Sequence, residues 1–172
     1  MEKTTFATYK DEKTKKEKIA SAILKNKYVG EYHLNEFGKP ISDNFYFNVS
    51  HSDYLVALIV DSSPIGIDVE RIRAIDSKLK KYISNDKEKE YIHDDESFFE
   101  IWTNKEALVK CVGTGIKTKP NNIPGLPLND KRDYKGNIYL NKTIRYLDYV
   151  ITTSRLGNDD YSLEISEVLI DD

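Results

Sequence analysis

Several features that would assign this chain to a particular class are scarce or missing. Cys111 is the single cysteine of the 172 residues, which excludes an internal disulfide and fits a reducing compartment. The three histidines have no metal-ligand spacing with one another, which argues against a zinc site. The longest apolar run, Leu55 to Val60, is far too short to span a membrane. The net charge of −3 lacks the basic excess typical of nucleic-acid binders. We therefore expect neither a nucleic-acid nor a membrane partner.

The remaining composition is that of a folded globular protein. Hydrophobic residues make up 39% of the chain and tyrosine occurs 12 times, which is ordinary for a domain with a packed core. The chain is long enough for one sizeable core or for two small lobes that share a sheet. Residues 1–5 contain no apolar segment, so we expect no secretory signal and a cytoplasmic location.

Hydrophobic periodicity predicts a mixture of helices and strands. The predicted helices cover residues 11–29, 79–83, 86–92 and 97–112, and the predicted strands cover residues 45–49, 54–61, 65–70, 134–140, 143–152 and 161–168. Ser97 and Glu100 have the spacing of a capping box at the start of the longest apolar helix, and Gly113 is a typical residue for its end. A tight turn is predicted at Asn141 and Lys142. The order of elements predicts an α+β fold with antiparallel sheets packed on helices.

Two of these elements carry charged residues where apolar ones are usual. In the strand 65–70 the side chains alternate between faces, so Asp68 and Glu70 lie on the same face. In the helix 97–112, Glu106 and Lys110 are one turn apart and share a side. Three carboxylates and a lysine that converge would form a site for a hard cation, and Mg²⁺ prefers carboxylate, water and phosphate oxygens.

Each of these motifs also has a purely structural interpretation. An isolated Asp-x-Glu is more often a pair of solvated residues at the end of a strand than a metal site. Glu106 and Lys110 would then be a surface ion pair that stabilises a helix by only about 0.3–0.5 kcal/mol. The lysines at 78, 80 and 81 also allow two interpretations. They form either a solvated face or a docking surface for an acidic partner.

The motifs, taken in order, resemble those of a known family. They are Gly38-Lys39-Pro40, Phe47-Asn48-Val49-Ser50-His51-Ser52, Gly66-Ile67-Asp68-Val69-Glu70, Trp102-Thr103-Asn104-Lys105-Glu106-Ala107-Leu108-Val109-Lys110 and the turn that ends at Gly115. This series resembles the 4′-phosphopantetheinyl transferases of the surfactin-synthetase-activating (Sfp-like) type, over residues 15–166. Several motifs in one order form a strong signal, whereas any one alone is weak.

The resemblance implies a reaction and a role for each matching residue. The enzyme would be a holo-[acyl-carrier-protein] synthase, which moves 4′-phosphopantetheine from coenzyme A to a serine of an acyl- or peptidyl-carrier protein and releases adenosine 3′,5′-bisphosphate. Such carriers serve fatty-acid, polyketide or nonribosomal-peptide synthesis. The implied Mg²⁺ ligands are Asp68, Glu70 and Glu106, and the implied catalytic residues are Glu106 and Lys110. The implied coenzyme A contacts are Lys39, Pro40, Ser50 and His51. Whether Glu106 is a base or only a metal ligand stays open.

The resemblance also implies an organisation in two pseudo-symmetric lobes. The Gly-Lys-Pro element comes early in this chain, so we expect an abbreviated N-terminal lobe at residues 1–64 and a C-terminal lobe at 65–172 that carries the metal and catalytic motifs. We expect a monomer. Two alternatives remain: a non-catalytic module that binds coenzyme A or a carrier protein, and a metal-dependent phosphohydrolase that releases free phosphopantetheine.

Overall fold

The structure, a computed structural model, describes residues 12–35, 40–113 and 118–163. Over these ranges the elements in chain order are α1 (Glu12–Tyr28), β1 (His33–Leu34), β2 (Pro40–Ile41), β3 (Tyr46–Ser52), β4 (Leu55–Asp61), β5 (Ile65–Arg71), α2 (Ser77–Ile83), α3 (Asp86–Tyr91), α4 (Asp95–Val112), a short 3₁₀ turn (Pro120–Asn122), β6 (Lys131–Tyr134), β7 (Asn137–Tyr146) and β8 (Tyr149–Leu156). The predicted α+β class is confirmed. No helix in these three ranges has the length and apolar character needed to cross a bilayer.

Antiparallel sheets and one long helix form the centre of the molecule. The main sheet has the strand order β5-β8-β7-β6, and β3 and β4 form a separate antiparallel hairpin. Helix α4 packs across β5 and β8, while α1 packs on β4. The apolar side of α4 is fully buried, with Phe98, Ile101 and Leu108 each at most 1% exposed. Burial of this face holds α4 against the sheet, since apolar area removed from water is the main stabilising contribution to a fold.

Side chains of β3 satisfy the free edge of β5. Strand β5 pairs with β8 on one side, and among the residues that the structure describes its other edge has no backbone partner in that sheet. Alternate residues of β3 accept hydrogen bonds from this edge: Ile67 N to Asn48 Oδ1 (3.0 Å), Val69 N to Ser50 Oγ (3.3 Å) and Arg71 N to Ser52 Oγ (3.1 Å). Both sets of numbers increase together, so β3 and β5 run in the same direction. We call this set of contacts the side-chain ladder. It satisfies buried amide groups that would otherwise be costly and joins the hairpin to the main sheet.

The elements predicted up to α4 are observed with ends within three residues of the prediction, although β1 and β2 were not predicted, and the strand boundaries predicted after α4 fail. Asn141 and Lys142 are not a turn but lie in the middle of β7. Asn141 is fully buried, and its backbone and side-chain nitrogens both donate to Asp130 O at 3.2 Å, so a residue typical of turns is used here to anchor a preceding loop. The turn between β6 and β7 is at Lys135 and Gly136, both with positive φ, as in the type I′ turns of tight hairpins. The next turn is at Leu147 and Asp148.

The predicted start of α4 was wrong, and the strand predicted at 161–168 lies partly outside the described residues. The capping box was predicted at Ser97 and Glu100, but α4 begins at Asp95: Asp94 is the N-cap, and Ser97 is the third helical residue of the box. Gly113 does end the helix in the left-handed conformation. Of the strand predicted at 161–168, residues 161–163 are in no strand, and the rest lie outside the described residues.

A buried ion pair fixes the solvent-remote side of α4. Lys105 and Glu88 are each 1% exposed, and their charged atoms are 2.6 Å apart. Lys105 Nζ also donates to the carbonyl oxygens of Ile83 (2.9 Å) and Pro120 (3.0 Å), and Glu88 Oε1 accepts from Gly125 N at 2.6 Å. Burial lowers the pKa of Lys105, while the Glu88 carboxylate opposes that shift. This pair therefore connects α4 to the end of α2, to α3 and to the loop before β6.

Helix α4 and strand β5 approach each other so closely that β5 needs a glycine. A Cβ added at Gly66 would overlap the carbonyl oxygen of Ala107 and lie 2.5 Å from the backbone nitrogen of Cys111. Both are backbone atoms of α4, so no rotation of a side chain can relieve the overlap. The close packing brings the residues that follow Gly66 directly opposite α4.

We predict that the Gly66→Ala variant unfolds more easily by about 3 kcal/mol, since overpacking against backbone forces the helix away from the sheet. Chemical denaturation, followed by circular dichroism, measures the change. Gly136→Asn is the matched control: the space around Gly136 is open and asparagine tolerates positive φ. Equal stability of the Gly66→Ala variant and wild type would contradict the close packing of α4 on β5.

We predict that the Lys105→Met variant loses about 3–5 kcal/mol of stability, because it leaves the Glu88 carboxylate buried without its counter-charge. The double variant Lys105→Met/Glu88→Gln should recover part of the loss, since glutamine is neutral and still offers an oxygen to Gly125. Lys89→Met is the control, because Lys89 pairs with Asp86 on the surface. A loss for Lys105→Met as small as that for Lys89→Met would refute the buried pair.

Candidate functional site

The charged residues of β5 face α4. Asp68 and Glu70 alternate with the buried Ile67 and Val69, and their side chains point to the same side as the missing side chain of Gly66. Lys110 of α4 reaches this face, with its Nζ 2.7 Å from Asp68 Oδ1. The side of β5 that faces α4 therefore presents two carboxylates next to a lysine.

Asp68 lies at the centre of a compact polar cluster. Its Oδ1 accepts hydrogen bonds from Lys110 Nζ (2.7 Å) and from Ser50 Oγ (3.0 Å), and Lys110 Nζ also donates to Ser50 Oγ at 2.8 Å. Asp68 is 5% exposed, and its Oδ2 is buried with no hydrogen-bond partner among the described residues. Burial raises the pKa of Asp68, although the charge of Lys110 acts in the opposite direction. One oxygen of this carboxylate is thus engaged and the other is left for an additional ligand.

Glu70 is held by three different side chains. Its Oε2 accepts from Ser52 Oγ (3.1 Å) and from Arg73 Nη1 (3.0 Å), and its Oε1 is 3.4 Å from the indole nitrogen of Trp102. Ser52 and Trp102 belong to the sequence motifs, but the motifs do not predict a contact of either residue with Glu70, and Arg73 belongs to no motif. The repeat Ser-x-Ser opposite Asp-x-Glu was the available signal, but it became meaningful only once β3 was placed beside β5.

Glu106 is close enough to the other two carboxylates for their charges to affect it. The pKa of Glu106 is raised from its ordinary 4.5 to about 7, mainly by burial and in addition by the negative charges of Asp68 and Glu70, while the charge of Lys110 opposes the shift. A carboxyl group with such a pKa changes protonation near neutral pH. Its place on α4, one turn before Lys110, brings it to the same face of β5 as Asp68.

The carboxylate oxygens of this site are the type of ligand that Mg²⁺ prefers, although they do not surround a metal position on all sides. Among the described residues, no three His, Cys, Asp or Glu side chains are clustered closely enough to hold a metal ion as they stand. The unpartnered Oδ2 of Asp68 and the neighbouring carboxylates are nonetheless hard oxygen donors. Mg²⁺ usually keeps several waters and is bound by one or two carboxylates plus substrate phosphates, so it does not need a cage made only of protein.

The remaining candidate residues lie in different places. Ser50 is buried and faces β5, whereas His51 faces the other side of β3, where its Nδ1 is 3.4 Å from Glu17 of α1. The two side chains therefore lie on opposite faces of β3 and do not form one cluster of donors. Pro40 lines a separate cleft of about 430 Å³ that also borders Phe45 and Val112. Lys39 lies outside the described residues.

We predict that Glu106→Gln makes the metal-free protein more stable at neutral and alkaline pH. The raised pKa means that the folded state disfavours ionised Glu106, a cost present above about pH 7 and lost as the pH falls towards 4.5. With a discount for solvent at this partly buried group, we expect a gain of about 1 kcal/mol near pH 8 that shrinks near pH 5. Thermal unfolding with a chelator present measures it. Glu90→Gln, at an exposed site, supplies the baseline, and a gain that does not depend on pH would contradict the shift.

Comparison with known proteins identifies the family. The sequence pattern of the 4′-phosphopantetheinyl transferase superfamily matches residues 64–166, more than half of the chain, and this range includes all of β5 and α4. Three similar proteins are 4′-phosphopantetheinyl transferase gsp of Aneurinibacillus migulanus (38% identical over 92 residues), psf-1 of Bacillus pumilus (36% over 88) and ffp of Bacillus subtilis (33% over 107). The alignments cover 49%, 46% and 57% of this chain and 39%, 38% and 48% of those proteins, so the chain spans less than half the length of the curated relatives it matches. The family match covers the carboxylates and the lysine described above, and the chain belongs to the 4′-phosphopantetheinyl transferase superfamily.

Proposed function

We propose that this chain transfers the 4′-phosphopantetheine group of coenzyme A to a serine hydroxyl of an acyl- or peptidyl-carrier protein. The single observation that carries the proposal is the cluster of Asp68, Ser50 and Lys110, in which a buried carboxylate keeps one oxygen without a partner among the described residues. The family supports the same reaction, since the relatives are named 4′-phosphopantetheinyl transferases. A protein that only bound coenzyme A would need no such buried carboxylate.

The reaction replaces a phosphoanhydride bond of coenzyme A with a phosphoester bond to serine. The serine oxygen forms a bond to the phosphorus that carries pantetheine, the bond from this phosphorus to the bridging oxygen breaks, and adenosine 3′,5′-bisphosphate leaves. Catalysis of phosphoryl transfer consists mainly of alignment and charge stabilisation. Asp68, Glu70 and Glu106 are the residues that would hold Mg²⁺, which, when bound, neutralises charge on the pyrophosphate.

Lys110 and Glu106 have separate duties in this proposal. Lys110 donates to the phosphate oxygens and takes up negative charge as the leaving group departs, in place of part of its present contact with Asp68. Two duties are proposed for Glu106: it accepts the proton of the serine hydroxyl, directly or through a water, or it serves only as a cation ligand, since a bound cation lowers the basicity of a carboxylate. The proposed contacts with coenzyme A are Lys39 and Pro40 at its nucleotide and Ser50 and His51 at its phosphates, in a cytoplasmic, monomeric enzyme of two lobes divided after residue 64.

Intact mass of a carrier protein tests this function. A purified apo carrier protein is incubated with the chain, coenzyme A and Mg²⁺, and the expected result is a gain in mass equal to one phosphopantetheine group. Release of free phosphopantetheine with an unmodified carrier would indicate a phosphohydrolase. Binding of coenzyme A with no change in either molecule would indicate a binding module.

We predict that Asp68→Ala lowers the rate of transfer by at least about 10²-fold even with excess Mg²⁺, because it removes both the partner of Lys110 and the unpartnered oxygen. The fold should persist, since the change relieves a buried, crowded carboxylate. Asp86→Ala is the control, because Asp86 is an exposed residue in a surface pair with Lys89. Transfer by the Asp68→Ala variant at the rate of the control would remove Asp68 from the site.

A further inference from the structure

We infer that Ser52 is a positioning residue: its hydroxyl sets the direction of the Glu70 carboxylate and thereby the affinity of the site for a divalent cation. The inference rests on the proposed function, since it takes Glu70 as a cation ligand. Ser52 is on β3 and touches no reacting atom. Its effect would act through Glu70 alone.

The hydroxyl of Ser52 makes two contacts that fix its orientation. It accepts a hydrogen bond from Arg71 N at 3.1 Å and donates its own proton to Glu70 Oε2 at 3.1 Å. A hydroxyl has one proton to give, so acceptance from the backbone directs that proton towards the carboxylate. Glu70 Oε2 is therefore held by a group whose own position is set by the edge of β5.

The same arrangement occurs two residues earlier. Ser50 accepts from Val69 N at 3.3 Å and donates to Asp68 Oδ1 at 3.0 Å. Each carboxylate of β5 is thus oriented by a serine of β3 that also accepts the next backbone N–H of β5. A coincidental contact would not repeat with the same donors and acceptors at both carboxylates.

The ion pair between Arg73 and Glu70 makes the contact of Ser52 with Glu70 important for cation binding. Arg73 Nη1 is 3.0 Å from the same Oε2 of Glu70, and a cation at Glu70 has to compete with this ion pair. Ser52 and Arg73 share Oε2, and Ser52 is the one that belongs to the side-chain ladder beside β5, since Arg73 is beyond the end of the strand. Without Ser52 the ion pair with Arg73 is the contact that remains at Oε2, and the cation loses a preorganised ligand. Loss of an outer hydrogen-bond partner of a metal ligand typically lowers metal affinity about 10–100-fold.

The side-chain ladder offers a matched control at Asn48. Asn48 accepts from Ile67 N at 3.0 Å, as Ser52 accepts from Arg71 N, but the residue before Ile67 is Gly66 and has no carboxylate. Asn48→Ala and Ser52→Ala therefore each remove one acceptor from the edge of β5. Only Ser52→Ala also releases a carboxylate.

The test measures binding of Mn²⁺ to the full chain with coenzyme A, from the loss of the electron paramagnetic resonance signal of the free ion. We expect the Ser52→Ala variant to bind Mn²⁺ about 10-fold more weakly than wild type. The Ser52→Thr variant should bind Mn²⁺ like wild type, because threonine keeps the hydroxyl. The Glu70→Gln variant should lose at least as much affinity as Ser52→Ala. Asn48→Ala should lower Tm about as much as Ser52→Ala and leave the affinity for Mn²⁺ unchanged. In the transfer assay, Ser52→Ala should need more Mg²⁺ for half-maximal rate and reach nearly the wild-type rate at saturation.

The possible results distinguish failure of the role of Ser52 from failure of the proposed transfer reaction. Weaker binding by Glu70→Gln with normal binding by Ser52→Ala would overturn the role of Ser52 and leave Glu70 as a ligand. Equal weakening by Asn48→Ala and Ser52→Ala would reduce Ser52 to a structural residue. Normal binding by Glu70→Gln, or no binding by wild type, would overturn both the ligand assignment and the inference. Mn²⁺ binding with the expected order of variants but no modified carrier protein would refute the proposed transfer and support the role of Ser52.

Discussion

The candidate site depends on hydrogen bonds that side chains of β3 make to the edge of β5. Strand β5 has a sheet partner on one side, and Asn48, Ser50 and Ser52 accept the amide protons of its other edge. A second backbone strand in that place would satisfy the same amides but would bring no hydroxyl groups to the carboxylates. The use of side chains as acceptors therefore combines two tasks. It terminates the sheet, and it brings polar groups to the two acidic residues of β5.

On one side of helix α4 the buried charges are compensated by their partners, whereas on the other side carboxylates of like charge lie close together. Lys105 is enclosed with Glu88, and both charges are compensated by contacts that leave no room for a substrate. One residue later, Glu106 faces two further carboxylates and has a pKa near 7. The firm anchoring of the first side supports the second, because a helix fixed by a buried ion pair and by close contact with Gly66 cannot retreat from repulsion among acidic groups.

The sequence was sufficient for those parts of the molecule in which local pattern determines structure. The alternation in residues 65–70 and the helical spacing in residues 97–112 predicted the two elements that form the site, and the α+β class followed from them. Asn141 shows why the later strands were misplaced: its side chain favours turns when solvated, but here it binds Asp130 O inside the protein. The contacts of Ser52 with Glu70 and of Lys105 with Glu88 join residues 18 and 17 positions apart, and no local pattern encodes such pairs.

The separation of Ser50 from His51 on opposite sides of β3 limits which changes of length the β3–β4 hairpin can accept. Side chains alternate along a strand, so a shift of register by a single residue would turn Val49 and His51 towards β5 and all three acceptors away from it. Every contact of the side-chain ladder would be lost at once, together with the contacts to Asp68 and Glu70. A shift by two residues keeps the parity of the strand and costs one contact at its end. A deletion or insertion of one residue within β3 should therefore disrupt the site far more than a change of two residues, because only the change of two residues keeps the alternation of its faces.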